Sequence, residues 1–263
     1  MQSDDFIRFT AGLRDLGGQR VWSLMISLFG DLAQGKDDVI DGPVLTAIMN
    51  MLQVRPEAAR VALHRLRNDG WISSQKFGRI SQHGLTPKGR TESAAASPKI
   101  YALPGASDQN WQLVLLEDSN ADTHAQMLAK GFISLTNRVF LGHLDAPTPD
   151  GALGLKGGNV PKWLPRQLER EGMRDHYADL LETLTDLNAA LPDPAHVSPL
   201  ETAVLRCLIV HNWRRLVLKH PSLPRALVSP DWPGLACHVL VADMLAQFPR
   251  PALTDIMRQQ TVA

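Results

Sequence analysis

The chain has 263 residues, 27 Lys and Arg against 27 Asp and Glu, and 44% hydrophobic residues. Those fractions are ordinary for a soluble globular protein, and the length suits about two domains, at roughly 150 residues per domain. No apolar run reaches the ~18 residues of a membrane helix, and two cysteines, Cys207 and Cys237, without a CxxC or a His/Cys cluster argue against a disulfide framework or a zinc site and for a reducing cytoplasm.

In chain order, the first stretch, MQSDDFIRFTAG, carries early acids and no apolar run, so no secretory signal is expected. Residues 20–34 place Val21, Leu24, Met25, Leu28, Phe29 and Leu32 at helical spacing. Gly35 ends that helix, and KDDVIDG reads as a loop. Pro43 opens a second helix through Leu52, with Val44, Leu45, Ile48, Met49 and Leu52 as its apolar set. A tight connection, Gln53-Val54-Arg55, leads to a third helix. Pro56 suits its first turn, where a missing N–H costs nothing, and Glu57 suits the positive helix end. Ala59, Leu63 and Leu66 fall at i, i+4 and i+7 with Ala62 beside them, so Arg60, His64, Arg67 and Asn68 lie on other faces. Gly70 stops the helix. Trp71-Ile72 starts a short strand, Gly78 turns it, a second strand runs near Arg79 to Leu85, and Thr86-Pro87 starts another helix.

Charge is concentrated in that third helix and hairpin. Residues 55–90 hold eight Lys and Arg (Arg55, Arg60, Arg65, Arg67, Lys76, Arg79, Lys88, Arg90) and only two acids, Glu57 and Asp69, a net of +6. The remainder carries 19 basic against 25 acidic residues, a net of −6. A local patch of this kind is the footprint expected for phosphate binding. A basic helix followed by a small basic hairpin is the outline of a winged helix-turn-helix, in which the helix enters the major groove and the hairpin touches backbone. Arg60, His64 and Arg67 are the candidate base or phosphate contacts, Arg being the commonest reader of guanine. Asn68 would read adenine or cap the helix. Lys76 and Arg79 suit phosphates, contacts that position without specifying. Arg65, two positions after Leu63, would instead pack or pair inside the domain. The competing reading is a solvated, charged surface.

Residues 91–98, TESAAASP, read as a helix end and linker. A second region follows: a strand at Trp111–Leu116, a helix at Asp122–Lys130 broken by Gly131, strands near 132–135, 138–141 and 152–156, and loop chemistry from Asp145 to Gly151. This is a small α+β unit. From Leu164 the chain is mainly helical, with one helix over 167–191 ended by Pro192 and Pro194. Ser198 and Glu201 form a capping box for the next helix, which reaches about Lys219 and is apolar around much of its circumference. The turn-rich stretch His220–Gly234 precedes helices over 235–248 and 252–260. Cys207 and His211 stand at i, i+4, a spacing that metals use but that core packing uses more often.

Three stretches together resemble the PaaX family of transcriptional regulators, the repressors of phenylacetate degradation. They are RVWSLMISLFGDL (Arg20–Leu32); Arg60–Arg90 with its L-x-R-L-x-x-x-G-W (Leu63, Arg65, Leu66, Gly70, Trp71), G-R (Gly78, Arg79) and L-T-x-x-G (Leu85, Thr86, Gly89); and WRRLVLKHPSLPRALVSPDWPG (Trp213–Gly234). The resemblance spans almost the whole chain, and the C-terminal P-x-D-W-P-G is its specific part. It implies a mainly α fold with a small α+β unit: an N-terminal winged helix-turn-helix (1–97), a central ferredoxin-like, Cas2-like domain (98–165, with the first helix of the next region assignable to either) and a helical C-terminal domain (166–263). It also implies a homodimer on a palindromic double-stranded operator, released by phenylacetyl-CoA or another acyl-CoA. In that light Arg214 and Arg215 would grip CoA phosphates and Trp213 would stack on a ring. The alternative is that these three are a helix staple, with Trp213 in the core.

The resulting expectation is a cytoplasmic DNA-binding repressor of aromatic catabolism genes, with no cofactor, no metal and no membrane partner. No P-loop, G-x-S-x-G or H-E-x-x-H motif supports an enzyme. The alternative is a CoA-binding or metal-dependent nucleic-acid-processing enzyme with an accessory winged helix. Asp118, placed where a Cas2-like nuclease would hold a metal carboxylate, would be its marker. A third reading is a protein-interaction module whose winged helix binds no DNA.

Overall fold

The computed structural model describes residues 3–17, 20–105, 109–169, 171–220 and 223–260. Pro221 and Ser222, inside the C-terminal signature, lie outside the described residues. The chain is mainly helical with two small antiparallel sheets. It divides into two compact units, each discontinuous in sequence. The first is Met1–Ala102 with Asp179–Arg215 and Val239–Ala263; the second is Leu103–Ala178 with Leu216–His238. No helix among the described residues is long and apolar enough to cross a membrane.

The first unit opens with two short helices ahead of the first one that periodicity marks, α1 (Ser3–Phe9) and α2 (Ala11–Asp15). They are helical because Phe6 and Leu13 are fully buried. Next come α3 (Val21–Leu32), a two-residue strand β1 (Ile40–Asp41), α4 (Gly42–Met51) and α5 (Pro56–Asn68). The apolar sets read from periodicity are inside except for Val21, which is half-covered: Leu24, Met25, Leu28, Phe29 and Leu32 on α3, and Val44, Leu45, Ile48 and Met49 on α4. On α5 the stripe is narrower than expected. Ala62 and Leu66 are buried, whereas Ala59 and Leu63 are half-covered.

A hairpin follows, β2 (Ile72–Phe77) and β3 (Ile80–Leu85), and β1 adds to its far side to give the order β1-β3-β2. The loop expected at KDDVIDG therefore contains a strand. Ile40 and Asp41 pair with His83 and Gln82, a bridge too short for periodicity to reveal. Helix α6 (Pro87–Ile100) starts as expected, with Thr86 Oγ1 accepting from the Gly89 N–H at 3.1 Å. It then continues through the stretch expected to be a linker, with Pro98 inside it. Tertiary contact outweighs propensity here. Ser93 and Ile100 are buried, and the following Tyr101 donates its hydroxyl to Asp31 at 2.7 Å. Gly89 has a steric reason: a Cβ there would stand 2.2 Å from the Trp71 carbonyl oxygen.

In the second unit, β4 (Trp111–Leu115), α7 (Ala121–Ala129), β5 (Ile133–Ser134), β6 (Val139–His143) and β7 (Leu153–Lys156) make an antiparallel sheet of order β5-β6-β4-β7. One apolar cluster joins Val114, Met127, Phe132 and Phe140. The other joins Ile133 and Leu141 to Leu164 and Leu168 of α8 (Trp163–Leu168) and to Leu223 and Leu227.

The helix expected over 167–191 is in fact two. Helix α8 stops at Leu168, and α9 (Met173–Ala190) starts afresh after Gly172, which sits at a φ of 69°. Helix α10 (Pro199–Val217) carries the expected capping box: Glu201 N–H donates to Ser198 Oγ at 3.2 Å, and Ser198 N–H donates to Glu201 Oε2 at 2.8 Å. Every residue from Glu201 to Trp213 is buried. Helices α11 (Pro233–Gln247) and α12 (Leu253–Gln260) complete the chain. Gly234, in the P-x-D-W-P-G signature, leaves room for the Trp232 indole; a Cβ there would meet Nε1 at 2.3 Å.

Candidate nucleic-acid interface

Helix α5 turns Leu66 and Ala62 inward and leaves Arg60, His64 and Arg67, at i, i+4 and i+7, exposed on one face. Asn68 is exposed beside them, its Nδ2 3.4 Å from His64 Nδ1. Arg60 reaches Glu57 at 3.1 Å, but both side chains are about three-quarters exposed, so the pair holds Arg60 only weakly. Val61 is an apolar side chain on this outer surface that periodicity did not single out.

The eight cations of residues 55–90 fall into two groups. Arg65 serves the fold, its guanidinium 4.9 Å from the centroid of the Trp22 ring and 3.6 Å from Asp69. This is the internal role expected of it. Lys88 donates to the Asp69 carbonyl at 2.9 Å, at the negative end of α5, and Arg90 donates to the Leu85 carbonyl at 2.6 Å. By contrast, Arg55, Arg67, Lys76 and Arg79 are exposed and have no ion pair among the described residues. With Arg60 they give five cations on the outer side of α5 and the hairpin.

The hairpin is fixed at its base. His83 is buried on β3, and its Nδ1 lies 2.8 Å from Ser74 Oγ on β2. Burial lowers its pKa first, the nearby Arg67 lowers it further, and Asp41 partly opposes both.

The other expected residues lie on α10. Trp213 is buried and its indole donates to the Ile100 carbonyl at 2.9 Å, the geometry of a staple. Arg214 donates to Ser27 Oγ at 3.2 Å, and burial lowers its pKa. Arg215 donates to the Gly17 carbonyl. Cys207 donates to the Leu24 carbonyl with a thiol that burial pushes up, while His211 Nδ1 lies 3.1 Å from Ser27 Oγ. The described residues contain no group of three or more His, Cys, Asp or Glu able to hold a metal. Asp118 lines a cavity of about 210 Å³ with Glu117, Lys130 and Asp150.

The second unit offers a concave surface that the sequence reading missed. An open groove of about 870 Å³ is lined by Lys162, Trp163, Arg166 and Arg225 over apolar Val160 and Val228. Trp163 is 57% exposed there. Next to it, Trp232 of the C-terminal signature stacks on His220 with centroids 5.3 Å apart and meets Tyr177 edge-on at 5.3 Å. Arg174 lies over the Trp232 ring at 5.5 Å and is held by Glu169 at 2.9 and 3.0 Å and by Asp231 at 3.6 Å. The signature's Trp232 thus forms a packed aromatic wall with His220 and Tyr177, and Arg174 occupies the nearby acids Glu169 and Asp231. The only sequence sign of the groove was the compact run Pro161-Lys162-Trp163-Leu164-Pro165-Arg166.

Residues 20–89 match the family described as PaaX-like protein, and residues 169–257 match the family described as PaaX-like protein C-terminal domain. The chain is 26% identical over 278 residues to the transcriptional repressor PaaX of Escherichia coli (strain K12), which covers 96% of this chain and 87% of that protein. Among solved structures it is similar to the uncharacterized protein Rv0674 from Mycobacterium tuberculosis, with a TM-score of 0.53 and 18% identity over 91% of this chain and 97% of that one. The second likeness speaks for the fold alone. With both of these segments matched, the chain belongs to the PaaX-like protein family.

Proposed function

We propose that this protein is a DNA-binding transcriptional repressor that uses α5 and the β2–β3 hairpin as a winged helix-turn-helix. The observation that carries the reading is the set of exposed cations, Arg55, Arg60, Arg67, Lys76 and Arg79, on one continuous piece of chain whose other basic residues are tied into the fold. Helix α5 lies in the major groove, where Arg60, His64 and Arg67 meet base edges or phosphates and Asn68 meets an adenine. Val61 adds an apolar contact of the kind a thymine methyl accepts. Lys76 and Arg79 on the hairpin hold phosphates and set the register. The relationship to a transcriptional repressor supports the sign of regulation.

The finer parts of the reading are a cytoplasmic homodimer on a palindromic operator and an aryl- or acyl-CoA effector, phenylacetyl-CoA being the first to test. The dimer occupies two half-sites, and the effector shifts the population towards a spacing that no longer fits both. For the effector we favour the groove of Lys162, Trp163, Arg166 and Arg225 over Trp213, Arg214 and Arg215. Lys162 and Arg166 are exposed there and Arg225, half-buried, donates to the Val228 carbonyl at 3.1 Å, whereas Trp213 is in the core. The four-stranded unit is read as ferredoxin-like from its strand order, with a loop over 144–152 in place of a second helix. The parts 1–97, 98–165 and 166–263 describe the order of building blocks along the chain, with their boundaries falling inside α6 and α8.

The test is a titration of the purified protein against its own upstream intergenic DNA and against random duplex, with and without phenylacetyl-CoA. Specific binding released by the thioester, with release lost in Arg166→Ala and Arg225→Ala while DNA binding persists, is the expected outcome. Specific binding that ignores the thioester would remove the effector and keep the repressor.

A further inference from the structure

We propose that the tip of the β2–β3 hairpin is a wedge for the minor groove of duplex DNA, with Phe77 as the side chain that enters between base pairs. The proposal rests on the DNA-binding reading above and adds to it a second, shape-dependent source of specificity.

Phe77 is 75% exposed and Ile80 is 41% exposed. They stand directly opposite each other in the hairpin register, on either side of the two-residue turn Gly78-Arg79, with Gly78 at a φ of 60°. The pair therefore forms one apolar cap at the extreme end of the hairpin. Nothing in the fold calls for it. The buried ends of the same strands are Ile72 and Leu85, at the opposite end of the hairpin, and Phe77 has no ring partner among the described residues. An aromatic ring left in water at a tight turn gives up the burial that usually justifies it.

The surroundings select the partner. From Ile72 to Leu85 there are two cations, Lys76 and Arg79, and no acid. Arg79 is in the turn itself and Lys76 precedes Phe77, so the apolar cap is flanked by exposed positive charge on both sides. Behind the cap, on the same face, Gln75 stands opposite Gln82. Proteins that read the minor groove combine Arg, Lys, Asn or Gln with an inserted apolar wedge, commonly Phe or Ile, that unstacks one step and bends the duplex. The two-residue turn is the narrowest part of the hairpin, and a wedge that unstacks a step and bends the duplex towards the major groove opens the minor groove to it, so the tip enters and the base of the hairpin stays outside. A hydrophobic protein partner would leave Lys76 and Arg79 without counter-charges; a duplex supplies them as phosphates. Because unstacking is easiest at pyrimidine–purine steps, the sequence under the tip should be enriched in TA or CA steps although no side chain reads their edges there.

The experiment uses the full chain and duplexes that it enriches itself from a randomised pool, with 2-aminopurine placed in turn at each flanking step. The expected result is brightening at a single step in each half-site, lost in Phe77→Ala and kept in part by Phe77→Leu. Affinity should fall roughly 5- to 150-fold in Phe77→Ala, the range a base-stacking aromatic commonly carries, with an unchanged salt slope, a smaller bend and an unchanged melting temperature. Equal affinity, bend and fluorescence for wild type and Phe77→Ala would overturn the wedge and leave the repressor intact. A Phe77→Ala variant altered only in sedimentation would overturn it in favour of a contact between copies of the chain. If no duplex is enriched, the DNA-binding reading and the wedge fall together.

Discussion

Asp31 on α3 accepts two hydrogen bonds from the guanidinium of Arg206 on α10, each 2.9 Å long, across a sequence separation of 175 residues. Tyr101, just past α6, and Arg250 reach the same carboxylate at 2.7 and 3.1 Å. Arg206 also donates to the carbonyls of Leu245 and Phe248. One buried acid therefore ties the helices that carry α5 to the C-terminal helices of the same unit. The side chain of Asp31 is fully buried and that of Arg206 is 4% exposed, so neither charge can be rehydrated if the other is removed. Asp31→Ala should cost about 3–5 kcal/mol, the usual penalty for a buried charge left alone. Urea unfolding followed by circular dichroism measures it, and a cost below ~1 kcal/mol would mean that water reaches Arg206.

The two hairpin cations should act differently from those on α5. Lys76 and Arg79 are exposed and unpaired, so each is expected to meet a phosphate. Lys76→Ala or Arg79→Ala should weaken binding about equally on specific and random duplex, and each should lower the slope of log K against log salt by ~1. Fluorescence anisotropy over a salt series decides this. An unchanged slope in both variants would place the hairpin off the DNA.

Acid should loosen the first unit through His211. The ring is buried against Ser27, and burial together with the charges of Arg215 and Arg214 pushes its pKa down to about 4 from an ordinary 6.5. The folded chain thus keeps His211 neutral where the unfolded chain would take up a proton. Stability from this group is complete above the unfolded value of 6.5. It declines as pH falls from there towards 4, with a total effect of up to ~3 kcal/mol. His211→Gln should flatten the decline between about pH 7 and about pH 5. Unfolding curves with the same pH dependence in both proteins would show that His211 is hydrated or charged in the fold.

Much of the architecture around α5 is written locally. Periodicity gives α3 and α4, Pro56 and Gly70 bracket α5, Gly78 gives the hairpin turn, and Ser198 with Glu201 gives the start of α10. Less visible are features fixed by distant partners. Nothing near Asp31 in the chain marks its role, because its partner Arg206 is 175 residues away. Helix α6 looks like a linker because its small residues and Pro98 disfavour a helix that Tyr101 and Ile100 nevertheless hold in place. Strand β1 is two residues long and exists only through its pairing with β3. In the candidate interface, the charge was legible but its division was not. Lys88 and Arg90 look as available as Lys76 and Arg79 until the carbonyls they bind are seen. The groove of Lys162, Trp163, Arg166 and Arg225 was hidden because Arg225 stands far along the chain from the others.

The central claim is that the outer face of α5 reads DNA sequence, and the most direct test is the ratio of affinities for the protein's own upstream intergenic duplex and for random duplex, at fixed salt, in wild type and in Arg60→Ala with Arg67→Ala. Both side chains are exposed, so the double variant should unfold at the wild-type temperature. If they contact base edges, each removal costs ~1–3 kcal/mol on the specific duplex and much less on random duplex, so the ratio collapses towards one. A double variant that keeps the wild-type ratio would contradict the assignment of α5 as the reading helix.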